Sequence, residues 1–299
     1  MTSPEYDIPE SKVIETEFGP VEYAIVGEGK PVLAFHGGGG GYDMAVLIYS
    51  MFSDAGFSLI CPSRPGYLRT PLTSGKSIPA QVDLCAALLD ELGLDEVGVV
   101  GASAGGPLAY EFAKRHPDKT KAIVVIDGIS MKYEYQPIDK VSEKIFLSDK
   151  GQKFQFWLAG LMPKTVIKQI VALEGDLTHE ELKERVKNIY DDPVKHDFIN
   201  KFFRTLYPYS ERKEGTWNDV ETEAEIDKIE DLDTITCPAL IMHANRDNDV
   251  VMAHAEYAVS EIPGAEFYLI KEGTHFGFWV SDYAEEAQKK AVDFFKDNL

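Results

Sequence analysis

Cysteine is scarce. Cys61, Cys85 and Cys237 are the only three in 299 residues, an odd number spread far apart. No pair has metal-ligand spacing, and no disulfide framework is suggested. Long apolar runs are missing too. With no stretch of about 18 apolar residues, no transmembrane helix is expected. The first residues, MTSPEYDIPESK, are acidic and carry no apolar segment, so no signal peptide is expected. Positive charge is in deficit: 30 Lys and Arg stand against 50 Asp and Glu, a net charge of −20. Such a surface favours solubility and repels phosphate backbones and anionic lipid, so neither nucleic acid nor membrane is an expected partner. Internal repeats and low-complexity tracts are also lacking. The expectation is a cytoplasmic enzyme acting on a small molecule. A homo-oligomer is left open.

The chain is long for one average domain and short for two. At this size about three quarters of the unfolded surface is buried on folding. Hydrophobic residues make up 44% and charged residues 27%, which excludes disorder, collagen and coiled coil as the main state.

Short apolar runs alternate with longer amphipathic ones. Strands are expected at 12–18 and 21–26, joined at Gly19-Pro20 as a hairpin, and at 31–35, 57–61, 97–100 and 122–126. Helices are expected at 44–55, 78–92 and 107–115. This β-β-β-α-β-α-β-α-β order argues a mostly parallel sheet with helices on both faces. The alternation breaks near Met131. Residues 131–233 read as helical and dense in aromatics, among them Phe198, Phe202 and Trp217. Their acidic end, 211–234, holds ten acidic residues against three basic ones and reads as a solvated face or loop. Alternation resumes with strands at 239–242 and 266–270 and helices at 253–260 and 283–298. The organisation is therefore a core formed by 1–130 and 234–299 with an inserted helical cap at 131–233.

Gly101-Ala102-Ser103-Ala104-Gly105 follows the strand VGVV and opens the helix PLAYEFAKR. A Gly-x-Ser-x-Gly at a strand-to-helix turn is a nucleophile elbow. The bare pattern is weak, but this context makes it strong. It presents Ser103 Oγ at a helix N-terminus, whose dipole favours developing negative charge. A serine hydroxyl needs a base, and the base needs a carboxylate to orient it. The expected chain order is serine, acid, histidine. His275, in EGTHFGFW after the strand EFYLI, is the candidate base. Asp247 and Asp249, after the strand ALIMH, both qualify as the acid. Asp247 lies nearer the strand end and is preferred, while Asp249 suits a helix cap near Val251. Asp127, after AIVVI, is a third choice.

Five glycines follow His36. Glycine lets backbone N–H groups approach an oxyanion closely. The expected donors are the N–H groups of Gly38 and Ala104, with Gly37 and Gly39 as alternatives. A phosphate-binding loop would need Rossmann spacing or a Lys-Ser/Thr pair, and neither is present. His36 is expected to brace the loop rather than move protons.

Taken together, AFHGGGG, SRPGYLRTP, VVGASAGG, ALIMHANRD and EGTHFGF resemble the α/β-hydrolase fold over nearly the whole length. The resemblance implies an eight-stranded, mostly parallel sheet with a helical cap between strands six and seven. SRPGYLRTP resembles the family's Arg-x-Gly-x-Gly-x-Ser turn, with Leu68 in place of its second glycine and Thr70 where serine is usual. A serine nucleophile argues against the dehalogenase and epoxide hydrolase types, which use aspartate there. Phe276 replaces the tryptophan that often follows the histidine in carbon–carbon bond hydrolases. The implied activity is that of a serine hydrolase cleaving a small carboxylic ester or related acyl compound, with no metal or organic cofactor. Acyl transfer or perhydrolysis through the same triad is the alternative. A non-catalytic ligand-binding protein on the same scaffold is a further one.

Overall fold

Val99, Leu33, Ile123 and Ile241 pack on one side of a single sheet, and Val100, Ala34, Val124 and Leu240 on the other. Period-two alternation puts successive side chains on opposite faces, so strands covered on both sides read as unbroken apolar runs. The computed structural model describes residues 8–133, 144–173 and 175–299. The first residues of the acidic N-terminal segment and part of the expected insertion therefore lie outside the described residues.

The sheet has eight strands: β1 (Lys12–Thr16), β2 (Gly19–Val26), β3 (Lys30–Phe35), β4 (Phe57–Pro62), β5 (Val97–Ala102), β6 (Thr120–Ile126), β7 (Ala239–Ala244) and β8 (Glu266–Ile270). Their spatial order is β1-β2-β4-β3-β5-β6-β7-β8. β2 runs antiparallel to β1 and β4, and all other pairs are parallel. Helices α1 (Tyr42–Ile48) and α2 (Ser50–Asp54) lie on one face. On the other lie α3 (Ile78–Glu91) and α4 (Gly106–Arg115). Between β6 and β7, the described residues add no strand to the sheet. They form α5 (Asp149–Leu161), α6 (Pro163–Leu173), α7 (His179–Asp191), α8 (Pro193–Arg204) and α9 (Lys213–Glu225). The chain closes with α10 (Ala253–Glu261), α11 (Gly277–Val280) and α12 (Ala284–Asn298). Among the described residues, no helix is long and apolar enough to cross a membrane.

Three local readings of the sequence are corrected. The β1–β2 turn is Glu17-Phe18, not Gly19-Pro20, and Pro20 pairs with Glu15. Thr16 sets this register: its hydroxyl donates to the Gly19 carbonyl at 2.8 Å and accepts from Phe18 N at 3.2 Å. The helix expected over 44–55 is two helices broken at Tyr49 (φ −114°). The buried Tyr49 hydroxyl donates to the Phe35 carbonyl at 2.9 Å, and the helix bends where that anchor is made. The acidic end of the insertion is not uniformly solvated. Gly215, Asp219 and Glu223, four residues apart on α9, are buried, while Glu214, Glu221 and Glu225 face outward.

That buried stripe fixes the glycine loop. Arg64 donates to both oxygens of Asp219 at 2.8 and 2.6 Å, and to the Gly37 carbonyl at 3.4 Å. Arg212 donates to both oxygens of Asp43 at 3.2 and 2.7 Å, and to the Gly40 carbonyl at 2.6 Å. Both arginines are at most 2% exposed. Removing one partner of a buried pair strands a charge in a medium that solvates it poorly. Asp219→Ala is therefore expected to lower the unfolding free energy by about 3–5 kcal/mol, read as a fall in the urea midpoint. A fall under about 1 kcal/mol would mean that Arg64 finds another counter-charge or water.

The turn resembling Arg-x-Gly-x-Gly-x-Ser is a buried scaffold. Leu68 adopts φ +51°, the left-handed conformation that favours glycine. Thr70 keeps the hydroxyl that the turn uses, accepting from Glu22 N at 2.8 Å.

Candidate active site

Ser103 leaves β5 at φ +53°. A non-glycine residue in this region carries a cost of about 1–3 kcal/mol and persists only where its surroundings enforce it. The surrounding glycines do so. A Cβ at Gly101 would lie 2.3 Å from the Gly105 carbonyl oxygen. At Gly105 it would lie 2.6 Å from Phe35 O, and at Gly106 2.7 Å from Gly128 Cα. The turn is thus pressed between the ends of β3 and β6, and no side chain fits at those three positions.

His275 sits in the loop after β8 and Asp247 in the loop after β7. Arg246 N donates to the Gly273 carbonyl at 2.9 Å and ties the two loops together. His275 Nδ1 lies 2.7 Å from Asp247 Oδ2. The other oxygen, Oδ1, accepts from the backbone N–H groups of Asp249 at 2.8 Å and Val250 at 2.9 Å. A carboxylate held this way fixes the imidazole with Nδ1–H donating and Nε2 free to accept a proton.

Ser103 and His275 line one cavity of about 300 Å³, together with Gly37, Gly38 and Gly39. Ala104 is buried next to Ser103. His36 lies under the glycine loop, fully buried. Its Nδ1 is 2.7 Å from the Gly37 carbonyl, and its Nε2 is 3.1 Å from Arg64 N. Burial first, and then Arg64, hold its pKa well below the ordinary histidine value. It is neutral, with Nδ1–H donating and Nε2 accepting, and it braces the loop.

Aromatic side chains from both parts of the chain form one wall of the cavity. Phe202 of α8 meets Phe276 edge-on at 4.8 Å. Phe198 stacks on Trp279 at 6.0 Å, and Trp279 Nε1 donates to Ile48 O at 2.8 Å. Met44, Ile48, Ile129 and Leu206 complete an apolar wall. Other aromatics of the insertion, Phe154, Trp157 and Trp217, are about half exposed.

The two remaining acid candidates occupy different places. Asp249 does not cap α10, whose start carries no side-chain cap. Its Oδ2 lies 3.6 Å from His275 Nε2, inside the cavity, and its Oδ1 accepts from the Tyr133 hydroxyl. The sequence offers Asp249 as an alternative triad acid or a helix cap, and gives no signal for Tyr133. Asp127 is buried at φ +46°, and its Oδ1 accepts from Ala244 N at 2.7 Å, joining the ends of β6 and β7. Burial, and then Asp247, push its pKa well above the usual carboxylate range. His243 beside it, lowered to about 4 by burial, is neutral and bonds the Val250 carbonyl through Nε2. Asp127, His243 and Asp247 offer three donor atoms within 4.8 Å of one another. Asp247 already binds His275 and two N–H groups, while Asp127 and His243 bond the backbone at Ala244 and Val250.

Burial lowers the pKa of His275, but Asp247, Asp249 and Asp127 outweigh it and raise the value well above the ordinary one. Only the neutral imidazole accepts a proton. If His275 is the base, kcat/KM should rise with pH along a limb displaced to the alkaline side of about 6.5, the unperturbed histidine value. Asp249→Asn removes one anion that stabilises the imidazolium, so the limb should move to lower pH. A pH–rate profile of both proteins checks this. A limb below 6.5, or one that Asp249→Asn leaves in place, would contradict the assignment.

The strand order, the strained elbow and the helices between β6 and β7 define a hydrolase of the α/β fold. The chain belongs to the alpha/beta hydrolase fold family, whose model matches residues 30–282. It is similar to the uncharacterized hydrolase YcgS of Bacillus subtilis, with 27% identity over 95% of this chain and 98% of the relative. It is 24% identical to a 2-hydroxy-6-oxo-6-phenylhexa-2,4-dienoate hydrolase of Comamonas testosteroni, over 92% and 91%. Among solved structures, an alpha/beta hydrolase fold protein from Nakamurella multipartita superposes with a TM-score of 0.90 at 34% identity, over 95% of this chain and 98% of that one.

Proposed function

We propose that this protein hydrolyses small carboxylic esters through Ser103, His275 and Asp247. One observation carries the reading. A serine forced to positive φ shares a cavity with a histidine whose Nδ1 is held by a carboxylate. His275 Nε2 takes the Ser103 proton as Oγ attacks the acyl carbon. The N–H groups of Gly38 and Ala104 receive the oxyanion, where fixed donors stabilise charge that develops only in the transition state. The protonated His275 then gives its proton to the departing alkoxide, leaving an acyl-Ser103 and a free alcohol. Water, deprotonated by His275, attacks the acyl carbon. The acid departs and Ser103 regains its proton. The helical insertion acts as the cap that keeps bulk water from this exchange.

A cavity of about 300 Å³ lies at the small end of the range for ligand sites, which favours short acyl chains. The test is a fluorophosphonate label located by mass, followed by a panel of esters graded in acyl length. Labelling of Ser103 with turnover that peaks at short chains supports the proposal. No labelling and no ester turnover would overturn it. The similarity to the Comamonas enzyme favours a second reading, hydrolysis of a dienoate. That compound joins the panel, and faster turnover of it than of every ester would replace the first reading.

A further inference from the structure

Resting on the ester hydrolase reading, we propose that Asp249 makes the cavity selective for uncharged or cationic acyl substrates and against those carrying a carboxylate. The argument begins with the walls. Among the described residues, the cavity lining contains no lysine or arginine, and Asp249 is its only acid. The Asp249 side chain is about one-third exposed. Its carboxylate is aimed inward, with Oδ2 3.6 Å from His275 Nε2 and Oδ1 held by the Tyr133 hydroxyl. The rest of the lining is glycine backbone, aliphatic and aromatic carbon, and a few neutral polar groups.

Two arginines lie close by, but neither serves the cavity. Arg64 and Arg212 are buried, each paired with its own aspartate, Asp219 and Asp43. Both are engaged with carbonyls of the glycine loop. Among the described residues, a substrate carboxylate would therefore meet a fixed negative charge and no lysine or arginine to pair with.

Asp249 lines the same cavity as Ser103 and lies 3.6 Å from the His275 nitrogen assigned to take the Ser103 proton, so an acyl group attacked there sits beside its carboxylate. Apolar walls lower the local dielectric, so the field of a fixed charge is stronger there than in bulk water. The net charge of −20 acts in the same direction at longer range by slowing the approach of anions. A quaternary ammonium or other cationic substituent would gain from both effects.

The experiment uses ethyl butyrate and monoethyl succinate, which differ little in size, and sets the bulkier ethyl ester of γ-trimethylammonium butyrate against its neutral isostere, ethyl 5,5-dimethylhexanoate. Proton release is followed at constant pH, on the plateau of the pH–rate profile. The readout is the ratio of kcat/KM between esters within one enzyme, which cancels any change in the triad itself. The natural protein should prefer ethyl butyrate over monoethyl succinate by at least about tenfold, as two like charges at this separation require. The ammonium ester should match or exceed its neutral isostere. Asp249→Asn, which keeps an acceptor for Tyr133, should shrink the neutral-to-anionic preference by about tenfold. High salt should shrink it in the natural protein. A ratio near one in the natural protein, or a ratio that Asp249→Asn leaves within twofold, would overturn the charge-selectivity proposal and leave ester hydrolysis standing. Two fluorophosphonates, one with an alkyl tail and one with a carboxylate tail, give a second measure that needs no turnover. Labelling of Ser103 at equal rates by both would overturn the selectivity. No labelling of Ser103 by either, with no ester turned over, would overturn both the selectivity and the reading on which it rests.

Discussion

Ser103→Ala is expected to reduce kcat on a neutral ester by roughly 10⁵–10⁶-fold, the order seen when an acyl-transfer serine is removed from an otherwise complete site. The loss should be chemical rather than structural. Alanine at position 103 is as small as serine and meets the same strained φ of +53°, so stability should change by less than about 1 kcal/mol. Residual activity should remain above the uncatalysed rate, because the oxyanion donors and the cavity still bind the transition state. Steady-state kinetics and intact-mass analysis after fluorophosphonate treatment check both parts. A label that persists on another residue would remove Ser103 from its role.

Asp247→Asn should be the second most damaging change, lowering kcat by about 10⁴-fold. Asparagine keeps an oxygen for the N–H groups of Asp249 and Val250, so the loop should hold and the melting temperature stay near normal. Its amide NH2, however, donates to His275 Nδ1 instead of accepting from it. The ring is then driven to the tautomer that protonates Nε2, the wrong atom for a base. Asp249→Asn should cost less than about tenfold on a neutral ester on the pH plateau, under roughly 1.4 kcal/mol of barrier. Both carboxylates lie near the same imidazole, but on opposite nitrogens. Measuring kcat for the two variants side by side separates them. If both stay active, Asp127 becomes the group to test.

The elbow and the triad candidates were legible in the sequence because their signals are local. Gly101, Ser103 and Gly105 form one five-residue turn. Asp247 and His275 each follow a strand whose apolar run is unmistakable. The mostly parallel sheet was legible for the same reason: β5 and β7 are buried along their whole length. Features that depend on what lies across the fold were not. Asp219 stands in an acidic run and reads as solvated until Arg64, 155 positions away, meets it. Asp249 looks like a helix cap until His275 and Tyr133 converge on it. The departure at Leu68 was visible as a missing glycine, but not its result. The backbone keeps the left-handed turn and leucine bears the strain.

The Arg64–Asp219 and Arg212–Asp43 pairs divide the helical insertion into two kinds of structure. α9 and its approach are tied to the sheet by buried charges. Helices α6, α7 and α8 instead share an apolar cluster of their own, which reaches the sheet domain through Phe276, Trp279 and Val280. Cooperative units follow such divisions. In native-state hydrogen exchange, the amides of α9 should open only with the central strands, in the global unfolding event. Those of α6, α7 and α8 should exchange through a smaller opening of lower free energy. The part of the insertion beside the glycine loop thus belongs energetically to the scaffold, and the part that carries Phe198 and Phe202 is the portion free to breathe.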